Sequence, residues 1–271
     1  MKTQGQFNTA NREFFKTDEF AIKVRKEAQS RVKRRKFPKL LSVNPKVIKG
    51  EKYGYKTAIL HLAPSWFSGY NVCPFAKGCG KVCLTFSGRG QKHMISNGVH
   101  HVHIARTVRT LLWFEQRELF KAMAIKEIKA HIRASERADA KPVIRLNGTS
   151  DIEWETVWPE VFAMFPDVIF YDYAKKLNRN VDHIPNYSLT LSHQEGNDEL
   201  SKEALSQGKN VAVVLRLNPR KKDPMPKTLW GFKVIDGDES DLRFADEQGV
   251  IVGLRSKGSA FKDTSGFVVD A

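Results

Sequence analysis

Seven short apolar runs restrict the fold more than any other feature of the chain. They are Ala58–Leu62, Val143–Leu146, Val168–Tyr173, Tyr187–Leu191, Val211–Leu215, Phe232–Ile235 and Val250–Leu254. Many of their residues are β-branched, and most runs end in polar residues, as buried parallel strands do. Between the first two lies a long helical pattern over about residues 98–138, read as two helices. Ile104, Val108, Leu112, Leu119 and Met123 form its apolar stripe. Trp158–Phe165 and Glu199–Ser206 read as shorter helices. This order predicts an α/β fold of parallel strands with helical crossovers. The expectation is an irregular or partial (β/α) barrel over residues 40–271, because the later connections are too thin for full helices. An open α/β sheet is the other solution. In both, function sits at the C-terminal ends of the strands.

The first strand end leads into Asn71-Val72-Cys73-Pro74-Phe75-Ala76-Lys77-Gly78-Cys79-Gly80-Lys81-Val82-Cys83, which holds all three cysteines of the protein. Three is no disulfide framework, and a close triplet in a reducing compartment points to a metal or to redox chemistry. Thiolates are soft ligands that suit iron–sulfur clusters or zinc, and three of them leave one metal position open. The spacing is C-x5-C-x3-C, unlike the C-x2-C pairs of zinc fingers. Cys73, Cys79 and Cys83 are therefore candidate ligands for iron–sulfur or for zinc; buried structural thiols are the plain alternative. For zinc, His61, His93, His100, His101 and His103 are candidate fourth ligands. His101-Val102-His103 also has the form of the paired histidines of nicking endonucleases, but it lies near the start of a helix, where i and i+2 do not share a face.

The other strand ends carry further polar groups. The second continues as Asn147-Gly148-Thr149-Ser150-Asp151-Ile152-Glu153. The third ends in Tyr171-Asp172-Tyr173-Ala174-Lys175, and the fourth in Thr190-Leu191-Ser192-His193. Asp151, Asp172 and Lys175 are candidate proton carriers. Asn147, Gly148, Ser150 and Ser192 are candidate cofactor contacts. Arg216, Arg255 and Lys257 are candidate phosphate contacts. The acidic run from Asp236 to Asp241 reads either as a divalent-cation site or as a solvated turn.

The chain has 271 residues and a formal net charge of +15. Residues 1–50 hold fourteen Lys/Arg against four Asp/Glu, so most of the excess is local. Residues 1–16 read as a loose arm. From Asp18 a helix follows, with Phe20, Val24, Ala28 and Val32 on one face and Arg31, Lys33, Arg34 and Arg35 among its basic residues. Residues 1–39 thus form a basic helical arm suited to a phosphate backbone, by salt-sensitive contact without base readout. No run of about 18 apolar residues occurs, which predicts no membrane partner. The polar N-terminus points to the cytoplasm.

Two resemblances follow from these residues. The cysteine loop after a first strand resembles radical S-adenosylmethionine enzymes, partial (β/α) barrels with a three-cysteine loop in that place. The resemblance implies an iron–sulfur cluster, with S-adenosylmethionine meeting Gly148-Thr149-Ser150-Asp151. The spacing departs from that superfamily's common C-x3-C-x2-C. At whole-chain level the sequence resembles a family of tailed-phage and prophage proteins, often called gene product eighty-eight-like. The matching stretches include Tyr53–Pro64, the cysteine loop through Gly90, Arg145–Asp151, Phe170–Tyr173, Asn186–Ser192, Val234–Asp238 and Val252–Gly258. That resemblance implies a phage context and host cytoplasm, and no activity. The leading expectation is a metal-dependent, radical S-adenosylmethionine-like enzyme acting on nucleic acid or nucleotides. A nucleic-acid-binding protein with a structural zinc site, and a zinc-dependent base-modifying enzyme, are the alternatives.

Overall fold

The computed structural model describes residues 4–83, 85, 101–218 and 223–271. Helices α1 (Gln4–Thr17) and α2 (Glu19–Lys33) open the chain. The expected loose arm is thus helical from Gln4. Its anchor is Phe15, which is buried and meets Phe67 edge-on at 5.6 Å. Phe15 carries little periodic signal along the chain, so only packing reveals this helix. Asp18 separates the two helices and caps α2, accepting from the Ala21 amide at 2.7 Å. Ala21, Val24, Ala28 and Val32 bury one face of α2 in the main core.

Among the described residues ten strands follow: β1 (Leu41–Ser42), β2 (Tyr55–Leu60), β3 (Lys141–Arg145), β4 (Ile169–Ala174), β5 (Tyr187–Ser192), β6 (Val211–Leu215), β7 (Thr228–Leu229), β8 (Phe232–Asp236), β9 (Ile251–Arg255) and β10 (Val268–Val269). They form one sheet in the order β1-β2-β3-β4-β5-β6-β9-β8-β7, with β10 added beside β6. Pairing is parallel except at the two edges, β1–β2 and β7–β8. Among the described residues β1 and β7 do not pair, so the architecture is a mixed α/β fold on a mostly parallel sheet. All seven expected strands are present. The three that sequence reading missed are two residues long each, too short to show a period.

Among the described residues the remaining α-helices are α3 (Pro45–Ile48), α4 (Gly78–Lys81), α5 (His101–Glu115), α6 (Arg117–Glu136), α7 (Trp154–Val157), α8 (Glu160–Met164) and α9 (Asp198–Ser206). The expected split of the long helical stretch falls at Gln116, between α5 and α6. α2 packs on α5, and α5 on α6. One face of β2–β5, with Leu60, Ile144, Phe170 and Tyr187, joins these helices in the main core. The register puts Ile59 beside Arg145 on the other face. There the segment after β8 lays Asp241 against the sheet. Asp241 lies 2.9 Å from Lys46 Nζ and 3.1 Å from an Arg145 guanidinium nitrogen, and accepts from the Tyr171 hydroxyl at 2.8 Å.

Candidate functional site

Parallel pairing brings the C-terminal ends of β2, β3, β4 and β5 to one side of the sheet, and four loops meet there. The centre is Asn147, buried at the end of β3. Its Oδ1 accepts from Ser150 Oγ (2.7 Å), the Ile152 amide (3.0 Å) and Trp154 Nε1 (3.1 Å). Its Nδ2 donates to the Ile152 carbonyl at 2.9 Å and to Asp172 Oδ2 at 3.3 Å. One side chain thereby folds the loop of residues 147–154 back on itself. Gly148 follows because nothing larger fits: a Cβ there would lie 2.5 Å from Ile59 Cγ2 and 2.8 Å from the Leu60 carbonyl oxygen. Gly148→Ala should therefore cost about 1–3 kcal/mol through overpacking against backbone. Urea unfolding checks this; an unchanged midpoint would show that the two loops do not press together here.

That loop carries the cysteine segment. The Asp151 amide donates to the Val72 carbonyl at 2.7 Å, and Thr149 Oγ1 to the Leu62 carbonyl at 2.6 Å. Cys73 Sγ accepts from the Ser65 amide at 3.3 Å and reaches the Thr149 carbonyl at 3.7 Å. Cys79 stands on the short α4, whose entry is held by the loop after β5. The amides of Lys77 and Gly78 donate to Gln194 Oε1 (3.2 Å) and Glu195 Oε1 (2.6 Å). The three thiols lie near enough for the charge of each to act on the others. Burial pushes the Cys73 thiol far up, and the charges of Cys83, Asp151 and Cys79 push the same way against the Ser65 amide. Burial also raises Cys79, which Lys175 opposes. Among the described residues no three His, Cys, Asp or Glu side chains converge into a ready-made metal cage.

Asp151 is buried beside these thiols. Its Oδ1 accepts from the Lys175 amide at 3.3 Å and lies 3.8 Å from the Arg179 guanidinium. Its Oδ2 is buried without a hydrogen-bond partner. Burial raises its carboxyl, with Lys175 and Arg179 pulling the other way. The Lys175 ammonium sits 5.8 Å over the Phe267 ring. Asp172 stands one layer below, on the helix-facing side of β4. It accepts from the Asn147 amide (2.6 Å) and the Tyr187 hydroxyl (3.1 Å), and burial lifts it to about 7 against Arg145 and those donors. Lys175 bonds to Asp151, whereas Asp172 anchors Asn147. Ser192 is buried at the end of β5, aligned with Ala212.

The remaining candidates lie apart from this centre. Arg216 is bound to Asp270 (2.5 Å) and to the carbonyls of Phe261 and Asp263, both at 2.8 Å. Arg255 pairs with Asp236 at 2.7 Å and Lys257 with Asp238 at 2.7 Å. With Asp241 paired to Arg145, the acidic run is neither a solvated turn nor a cluster of free carboxylates. In the arm, Arg31 pairs with Glu27 at 2.9 Å and Arg34 lies 3.7 Å from it. Lys33, Arg34 and Arg35 are exposed. His103 is buried against the rings of Phe20 (5.3 Å) and Phe67 (5.6 Å), while His101 is exposed. His61 accepts or donates through Nδ1 to Ser42 Oγ at 3.2 Å. His93, His100 and the turn of residues 87–90 lie outside the described residues. Sequence reading missed Gln194 and Glu195, one step past the last strand-end residue it singled out. It also missed Arg179, whose guanidinium ties Glu155 (2.5 Å) and the Tyr187 hydroxyl (3.0 Å) beneath the site. A surface hollow lined by Tyr53, Tyr55, Glu136 and Lys141 lies at the opposite ends of β2 and β3.

The strand ends, the Arg145–Asp151 loop and the cysteine loop fall within one family model. It is described as Gene product 88, and it matches residues 30–271. The chain belongs to the gene product 88 family. The match begins inside α2, about ten residues before the resemblance read from sequence, so most of the basic helix precedes the family region. Membership fits the phage and prophage resemblance. No curated protein and no solved structure matches the chain. Among the described residues no helix is long and apolar enough to cross a membrane.

Proposed function

We propose that this gene product 88 protein is a metal-dependent enzyme of the iron–sulfur, radical S-adenosylmethionine-like kind, acting on nucleic acid or nucleotides. The supporting observation is the meeting of three mutually interacting thiols with the unpartnered Asp151 Oδ2 at the C-terminal ends of parallel strands. The donor chemistry fits a soft metal: Cys73, Cys79 and Cys83 would hold it once deprotonated, their side chains turning toward one another. An iron–sulfur cluster bound there would supply electrons for one-electron chemistry on S-adenosylmethionine. Asp151 would take an ammonium or other cationic group of the cofactor or substrate, through the oxygen that has no partner. Lys175 would keep Asp151 ionised and hold a proton beside Cys79. Asn147 and Ser150 would fix the shape of the cofactor loop rather than touch the cofactor. In this reading the sheet is the wall of an irregular, partial (β/α) barrel, with Asp241 on its inner side.

The test is iron, acid-labile sulfide and zinc per chain, measured on protein purified without oxygen, beside Cys79→Ala. Iron with sulfide in the wild type and its loss in the variant is the expected result. Neither metal in either sample would sink the reading. Stoichiometric zinc would instead favour a stapled nucleic-acid-binding protein or a zinc-dependent base-modifying enzyme. The exposed Lys33, Arg34 and Arg35 support the nucleic-acid partner in each case.

A further inference from the structure

Arg106, on α5, lies beside Cys83 at the edge of the thiol site and is half-buried, and that burial lowers its guanidinium. A guanidinium out of water normally carries a carboxylate partner, because its desolvation is otherwise uncompensated. Arg106 has none. Every Asp and Glu of the chain is among the described residues, and none lies within ion-pair distance of it. Its contact is one neutral hydroxyl, with a guanidinium nitrogen donating to Thr85 Oγ1 at 3.1 Å. The group that acts on its charge is the Cys83 side chain.

The neighbours make the deficit larger. Arg109 lies one turn along the same helix and is buried. It donates to the carbonyls of Lys39 (2.7 Å) and His61 (3.3 Å), again with no carboxylate in contact. Burial and the Arg106 charge together push Arg109 down to about 10. Arg145 approaches from β3. His61, placed among the three, is held neutral, down to about 3, by burial and then by Arg106, Arg145 and Arg109. Positive charge thus collects around His61 and beside Cys83.

We propose that Arg106, backed by Arg109 and Thr85, is the recognition point for an oxyanion, a phosphate or a carboxylate, carried by a small molecule that binds at the thiol site. A planar fork with N–H groups still uncommitted suits a two-oxygen contact with either group. Such an anion would neutralise Arg106, which has no acidic partner, whereas Arg109 already feels the Glu127 carboxylate. Arg106 beside Cys83 and Asp151 beside Cys73 would together orient a ligand that bears both signs. This site requires no metal, so it stands or falls apart from the iron–sulfur reading.

The experiment is calorimetric titration of the full chain with inorganic phosphate and, separately, with acetate, at constant ionic strength in chloride. The proteins are the wild type, Arg106→Gln, Arg106→Lys, Cys83→Ser and Arg133→Gln. Saturable binding of one anion is expected in the wild type, weakened about ten- to a hundredfold in Arg106→Gln by loss of charged hydrogen bonds. Arg106→Lys should weaken it less, and Arg133→Gln, exposed on α6, should leave it unchanged. The anion that binds identifies the group, phosphate or carboxylate. Circular dichroism and the Arg106→Lys protein guard against reading misfolding as lost affinity. Equal affinity in wild type and Arg106→Gln would overturn the proposal. So would binding that emerges only in Cys83→Ser, since the thiolate would then be the resident counter-ion.

Discussion

Asp241→Ala should destabilise the protein by about 3–5 kcal/mol, the usual result of removing one partner from a buried ion pair. Asp241 is 2 % exposed and faces two cations, with Arg145 on β3 and Lys46 on α3. Burial alone would raise its carboxyl. The charges of Arg145 and Lys46 and the Tyr171 hydroxyl overcome that and hold it down to about 2. Burial still pulls the Lys46 ammonium below its usual range, so Arg145 is the stronger partner. Truncation would leave Arg145 without its ion-pair partner, its guanidinium 4.6 Å over the Tyr173 ring. Urea unfolding at neutral pH measures the loss. The double variant Asp241→Leu with Arg145→Met should regain much of it, because an apolar pair needs no counter-charge. The pH dependence has a definite sign. A carboxyl depressed on folding, from about 3.9 in the unfolded chain, stabilises above that value, and the contribution is lost as pH falls through the folded value near 2. Asp241→Ala should flatten that acid limb. A loss under about 1 kcal/mol would mean the pair is solvated and the segment after β8 does not seat against the sheet.

Asn147→Ala should be nearly as damaging, by about 3 kcal/mol or more, since buried groups left without a partner cost about 1–3 kcal/mol each. The Ile152 amide, Trp154 Nε1 and Ser150 Oγ all donate to its oxygen, and the Ile152 carbonyl and Asp172 Oδ2 accept from its nitrogen. The loss would reach the site too, because the Asp151 amide and Thr149 hold the cysteine loop from this same segment. Faster alkylation of Cys73, read by mass spectrometry, is the expected signature. Asn147→Asp separates charge from shape. It keeps the accepting oxygen but sets a second carboxylate 3.3 Å from Asp172 Oδ2. Asp172 is already lifted to about 7, and a carboxyl raised on folding stabilises below the unfolded value and loses that contribution as pH rises through the folded one. A like charge beside it lifts the pair further. The variant should therefore approach wild-type stability near pH 5 and fall well behind by pH 8. Equal deficits at both values would show that geometry, not charge, is what the position requires.

The chain's local patterns announced the strands. Seven runs with apolar, β-branched composition became seven strands of one sheet, because burial on both faces demands that composition wherever the strand lies. The break between α5 and α6, the α2 stripe and the strand-end position of the cysteines were legible for the same reason: each is a short-range consequence of periodicity or of chain order. What the sequence withheld was pairing at a distance. The fate of Asp236, Asp238 and Asp241 depended on Arg255, Lys257 and Arg145 arriving from other strands. Asp172 and Lys175 are three residues apart, yet the strand pleat turns Asp172 toward the helices while Lys175 meets Asp151. Arg216, read as a phosphate contact, is held by the C-terminal segment through Asp270. Arg106 looked like one more basic residue on a helix, and only the absence of any acid around it gives it a role. Composition and period fix which residues must leave water. Which charges then face one another is settled by the tertiary structure alone, because electrostatic partners are chosen by distance in space and carry no signature along the chain.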